Sequence, residues 1–73
     1  MDATRIFRRE GYDLRCCAKA VESGKFVPEL IVSRQVWPTR PRLIALERGN
    51  YLTEDTAIDA AYAQGVRWIL SRG

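Results

Sequence analysis

From Tyr12 to Val21 the chain alternates. Tyr12, Leu14, Cys16, Ala18 and Ala20 share one parity and Asp13, Arg15, Cys17 and Lys19 the other, the period of a strand with one buried face. Glu22-Ser23-Gly24-Lys25 follows, with Gly24 free to take a positive φ. "FVPELIVSR" then resumes with β-branched and aromatic residues, so the two runs predict a hairpin. Pro28 has no N–H to give and belongs on an edge or at a bulge. Pro38 and Pro41 make "QVWPTRPR" a loop, and "RLIALER" reads as a third, shorter strand before a turn at Gly49-Asn50.

The last third changes period. Ile58, Ala61, Tyr62, Gly65 and Ile69 recur at three- and four-residue steps, the buried stripe of a helix. Thr53 is placed to cap it, with Leu52 where a hydrophobic staple would sit. Glu54, Asp55 and Asp59 near its start, Arg67 near its end and Arg72 just beyond complement the helix dipole. Gly65 costs such a helix about 1 kcal/mol relative to Ala, which a close approach of helix to sheet would explain.

The pattern predicts an α+β fold, β-β-β-α: a three-stranded antiparallel meander with one C-terminal helix on a face. Residues 11–73 form the single domain. Residues 1–10 have no clear period and read as a loosely docked basic arm carrying Arg5, Arg8 and Arg9, with Ile6 and Phe7 as anchors. One helix covers one face. If Tyr12, Leu14, Cys16, Phe26, Leu30 and Val32 point to it, Val27, Ile31 and Cys17 point away, and Trp37 and Trp68 add apolar area. A contiguous patch of this kind marks an interface, unless the arm folds over it.

Composition adds limits. Seventy-three residues, 47% hydrophobic and 29% charged, make one small core near the lower end of what folds without disulfides or metal. Oligomerisation is therefore a live expectation on size, with a homodimer one form of it and pairing with another protein the other. No run is long and apolar enough to span a bilayer, no membrane partner is expected, and the N-terminus lacks a signal-peptide core. With two adjacent cysteines as the whole cysteine content, the expected compartment is the reducing cytoplasm. Ten of the twelve Lys and Arg precede Gly49, a basic front that points weakly to an anionic partner.

The chemistry is narrowed by what is missing. With no histidine, no Ser-His-Asp or Cys-His arrangement can be built. There is no phosphate-binding Gly-rich loop, no dinucleotide fingerprint and no calcium loop, and no small-molecule substrate or cofactor is implied. Glu54, Asp55 and Asp59 are accounted for by the helix start. Cys16 and Cys17 supply at most two badly oriented metal ligands, and a disulfide between neighbours would break the strand. On alternating positions one cysteine faces in and one out: Cys16 as a small apolar filler, Cys17 beside Arg15 and Lys19 as either a stabilised thiolate or a partly covered residue. The expectation is a non-enzymatic chain.

Two functional readings remain. The first is an interaction or adaptor module that pairs with itself or another protein through the open sheet face or an edge strand, with Val27, Ile31, Trp37, Trp68 and Cys17 as interface candidates. The second is nucleic-acid binding. Here Arg34, Arg40 and Arg42 flank Trp37, and Arg5, Arg8 and Arg9 join them on phosphates while Trp37 stacks on a base.

The β-β-β-α order resembles three-stranded plant and integrase DNA-binding domains that lay a sheet into a groove, and the second half of double-stranded RNA-binding domains. In the latter the helix opens with lysines, where this one opens with Glu54-Asp55. "GYDLRCCAKAVESGKFVPELIVSR" followed by "YLTEDTAIDAAYAQGVRWI" resembles a family of small uncharacterised proteobacterial proteins. That family has a Gly-Tyr strand, a Gly-aromatic-x-Pro turn, and a Thr-Glu-x-x-Ala helix closing on Gly-x-x-Trp-Ile. The resemblance spans roughly residues 11–69 and departs at Phe26-Val27 and Leu70. It implies the fold and no activity.

Overall fold

A computed structural model describes residues 3–37, 40–47 and 49–72. It is α+β, with a four-stranded antiparallel sheet in the order β1 (Ala3–Arg9), β2 (Tyr12–Ala20), β3 (Phe26–Arg34) and β4 (Arg42–Ile44), and one helix, α1 (Glu54–Arg72). Pro38 and Arg48, assigned above to the loop and the third strand, lie outside the described residues. Among the described residues no helix is long and apolar enough to cross a membrane.

The expected hairpin is present. Tyr12 faces Arg34 and Ala20 faces Phe26 in one unbroken register, closed by a turn in which Gly24 has φ 78° and donates to the Val21 carbonyl. Leu14, Cys16, Ala18, Leu30 and Val32 are buried under Ala57, Ile58, Ala61 and Ile69, with Phe7, Tyr12, Phe26 and Tyr62 partly buried around them. A β-carbon added to Gly65 would stand 3.2 Å from Leu30 Cδ2 and 3.3 Å from Leu14 Cδ1. The helix therefore lies close over the two central strands at that point, and the propensity cost of glycine is offset by this approach.

Pro28 is buried within β3 yet disturbs no ladder. Phe26 exchanges both backbone bonds with Tyr51, at 2.7 and 2.8 Å, on the side of β3 away from β2. Backbone polar groups alternate sides along a strand, so Pro28 turns its missing N–H to that same side. It sits between Tyr51 and β4, which pairs only with Leu30–Val32. The proline occupies the gap where no donor is needed.

Three expectations are corrected. The sheet has four strands, not three, because residues read as an arm form β1, paired along its whole length with β2. Its period was obscured because Arg5 and Arg9 share the helix-facing side with Ala3 and Phe7. At the sheet edge these long side chains reach α1: Arg5 Nη2 lies 3.1 Å from Asp55 Oδ1 and Arg9 Nη1 donates to Tyr62 Oη at 3.4 Å. Phe7 lies between them on Tyr62, ring centroids 4.5 Å apart. The β1–β2 turn is the two-residue Glu10-Gly11, both at positive φ, 53° and 79°. Glutamate is a rare choice there, so the hairpin signal was weak.

Second, the strand expected over "RLIALER" is three residues long. Beyond Ile44 the chain leaves the sheet, Leu46 packs against the core, and the Glu47 N–H donates to Gln64 Oε1 on the helix at 2.8 Å. Third, Thr53 does cap α1, its hydroxyl accepting from the Thr56 N–H at 3.2 Å. Leu52, however, is 78% exposed and forms no staple.

Candidate functional site

β2 begins, β3 ends and β4 begins at the same end of the sheet, and the last turns of α1 lie over it. The register places Tyr12 opposite Arg34 and Val32 opposite Arg42. These pairs share the helix-facing parity, and Trp68 comes down from α1 to meet Tyr12 edge to face, centroids 5.6 Å apart at 87°. The result is a recess of about 240 Å3 lined by Tyr12, Val32, Arg34, Arg40, Arg42 and Trp68. The Arg34 guanidinium carbon stands 5.7 Å from the Tyr12 ring centroid, a cation–π distance.

A second, shallower recess of about 260 Å3 shares Arg34 and Arg40 and adds Val36 and Trp37. Trp37 is 91% exposed. Among the described residues no carboxylate stands within ion-pair distance of Arg34, Arg40 or Arg42. Three cations drawn to one recess with no described carboxylate beside them repel one another, and a bound anion would relieve that repulsion. From α1 only Trp68 lines the recess, so the arginines of sheet and loop are the groups that would contact an anion. The recess is smaller than the roughly 300–1,000 Å3 of pockets that enclose a small ligand. It suits a group projecting from a larger molecule.

The structure divides the six arginines expected to act together. Arg34, Arg40 and Arg42 are gathered with Trp37 beside them. Arg5 and Arg9 are tied to α1 as described, and Arg8 lies on the other face of the sheet with its Nε 3.3 Å from Asp13 Oδ1. The interface candidates are divided too. Val27, Ile31 and Cys17 are half-buried on the face away from the helix, Trp68 is in the recess and Trp37 beside it. Tyr12 was read only as a core residue. The hairpin register pairs it with Arg34, one residue from the Gln35 that a turn confined to Glu22–Lys25 would place opposite it.

The outer face is mixed. Ile6, Arg15, Ile31 and Leu43 form one row across all four strands, with Ile6 59% and Leu43 65% exposed. Ion pairs lie on either side of the row, Arg8 with Asp13 and Lys19 with Glu29 at 3.4 Å. Thr4 Oγ1 donates to Cys17 Sγ at 3.5 Å. Cys16 is fully buried, and burial, with a smaller contribution from Cys17, raises its thiol to about 11. Among the described residues no three His, Cys, Asp or Glu side chains gather as a metal site.

Comparison with protein families, with curated proteins and with solved structures gives no match for this chain. The functional reading therefore rests on the geometry.

Proposed function

We propose that this chain is a non-enzymatic module that binds single-stranded nucleic acid at the end of its sheet. The observation that carries the reading is the recess of Arg34, Arg40 and Arg42, with no described carboxylate partner, adjoining the exposed Trp37. The arginines take backbone phosphates and Trp37 stacks on a base, the usual combination for single strands. A duplex keeps its bases stacked on one another and leaves an exposed tryptophan nothing to stack on. The groove-reading mode of three-stranded domains is less well supported, because Arg8 and Lys19 on the outer face of the sheet are already paired with Asp13 and Glu29.

Titrating short single- and double-stranded oligonucleotides while following tryptophan fluorescence tests this. At low salt the single strand shifts the emission saturably and moderate salt weakens the effect. An unchanged spectrum at low salt, where the electrostatic contribution is greatest, rejects the reading.

A second reading, the adaptor that docks on a protein through the sheet, is favoured by the row Ile6, Ile31 and Leu43 on the uncovered face. Membership of the small proteobacterial group stands as a proposal carried by motif order alone, and it adds no activity to either reading.

A further inference from the structure

We propose that two copies of this chain join edge to edge along β1, antiparallel and centred on Ile6, into one continuous eight-stranded sheet. This is independent of the nucleic-acid reading and uses a different surface from the uncovered sheet face.

The open edge follows from the hydrogen-bond pattern. Phe26 bonds Tyr51 away from β2, so the odd-numbered residues of β3 turn their backbone groups to β2. Their partners Asp13, Arg15, Cys17 and Lys19 then face β3, which leaves Leu14, Cys16 and Ala18 to bond β1 through Phe7, Arg5 and Ala3. Thr4, Ile6 and Arg8 consequently present their N–H and C=O groups outward. β1 meets only β2 and α1 among the described elements, so nothing described covers that edge.

Edges of soluble sheets are normally protected by proline, bulges, brevity or charged side chains, including inward-pointing ones. β1 has seven residues, no proline, no lysine and an unbroken register. It carries three arginines, two of them inward, but each is held by a partner in its own chain and leaves the backbone edge clear.

Charge selects the register. Pairing centred on Ile6 sets Ala3 against Arg9, Thr4 against Arg8 and Arg5 against Phe7 of the second copy, with no arginine opposite another. Moving the centre by one residue either way sets Arg5 opposite itself or Arg5 opposite Arg9, which is destabilising. The centred register is also the one that uses all seven residues. It joins the outer-face rows at Ile6, so Ile6 gains its own copy as a neighbour.

Light scattering across a range of protein concentrations reads the mass, and two variants read the surface. Ile6→Pro removes an outward N–H and leaves the bonds to β2 intact. Ile6→Cys, in a Cys17→Ser background, places two thiols directly opposite at a Cα separation of about 5.5 Å, within disulfide reach. The expected results are a dimer for the native chain, a folded monomer by circular dichroism for Ile6→Pro, and a disulfide-linked dimer on mild oxidation for Ile6→Cys. A native chain that is monomeric at every concentration overturns the proposal. So does a dimer that survives Ile6→Pro and fails to crosslink through Ile6→Cys. Should Ile6→Pro unfold the chain, the crosslink decides alone.

Discussion

The arginines of β1 and those of the recess are the same residue type in similarly basic sequence, yet the fold uses them differently. Arg5, Arg8 and Arg9 each reach a partner in their own chain: Asp55, Asp13 and the Tyr62 hydroxyl. Arg34, Arg40 and Arg42 have no described carboxylate and surround one recess beside Trp37. The first group fastens an edge strand to the body of the domain. The second concentrates charge that no described carboxylate neutralises. A count of positive charges would treat the two groups as equal; their surroundings separate them.

The largest effect should come from the recess. Changing Arg34, Arg40 and Arg42 together to Gln should weaken single-strand binding by roughly a hundredfold or more, since a hydrogen bond to a charged group contributes about 1.5 kcal/mol or more. The melting temperature should stay put or rise as mutual repulsion is relieved. Trp37→Ala comes next. Loss of one stacked base costs about 1–3 kcal/mol, from roughly fivefold to somewhat over a hundredfold in affinity, and a side chain 91% exposed contributes little to folding, so thermal unfolding should not move. Changing Arg5, Arg8 and Arg9 to Gln should give the reverse pattern. Exposed pairs contribute up to about 1 kcal/mol each, so stability falls modestly. Affinity should stay within about threefold at physiological salt, where the Debye length is about 8 Å. Equal losses of affinity from the two triple variants would erase the distinction.

The smallest effect concerns the cysteines. The buried Cys16 thiol, raised to about 11, lies above the roughly 8.5 of a free thiol. A group whose folded value is raised holds its proton more tightly when folded. Its contribution is therefore complete below about pH 8.5 and is lost as pH rises towards 11. Denaturant unfolding should show a downward slope over that window which Cys16→Ala removes. Alkylation of the native protein at neutral pH should label Cys17 and spare Cys16.

The central hairpin, the helix with its cap and stripe, and the inward and outward cysteines were legible in the sequence. Each rests on a local period or a backbone requirement. The place of Pro28 was not, since it lies on an inner strand, in a gap between partners, and not on an edge strand or at a bulge. Nor was β1, because an edge strand half covered by a helix tolerates arginine on its inner parity, and Glu10-Gly11 is an unusual pair for its turn. The short β4 was over-read because Leu46 continues the apolar pattern while belonging to the core beneath the helix. Of the site, Arg34, Arg40, Arg42 and Trp37 could be named from their interleaving. Their separation from Arg5, Arg8 and Arg9 could not, since it depends on which arginines meet a carboxylate after folding. Trp68 joins the recess through a tertiary contact with Tyr12 that no local pattern encodes.

The most direct test is the salt dependence of single-strand binding in the native chain and the two triple variants. Each phosphate contact contributes about −0.7 to the slope of log affinity against log salt. Removing the recess arginines should therefore flatten the slope by about 2, and removing those of β1 should leave it nearly unchanged. A slope that flattens equally in both variants, or in neither, contradicts the assignment of the recess as the phosphate-binding surface.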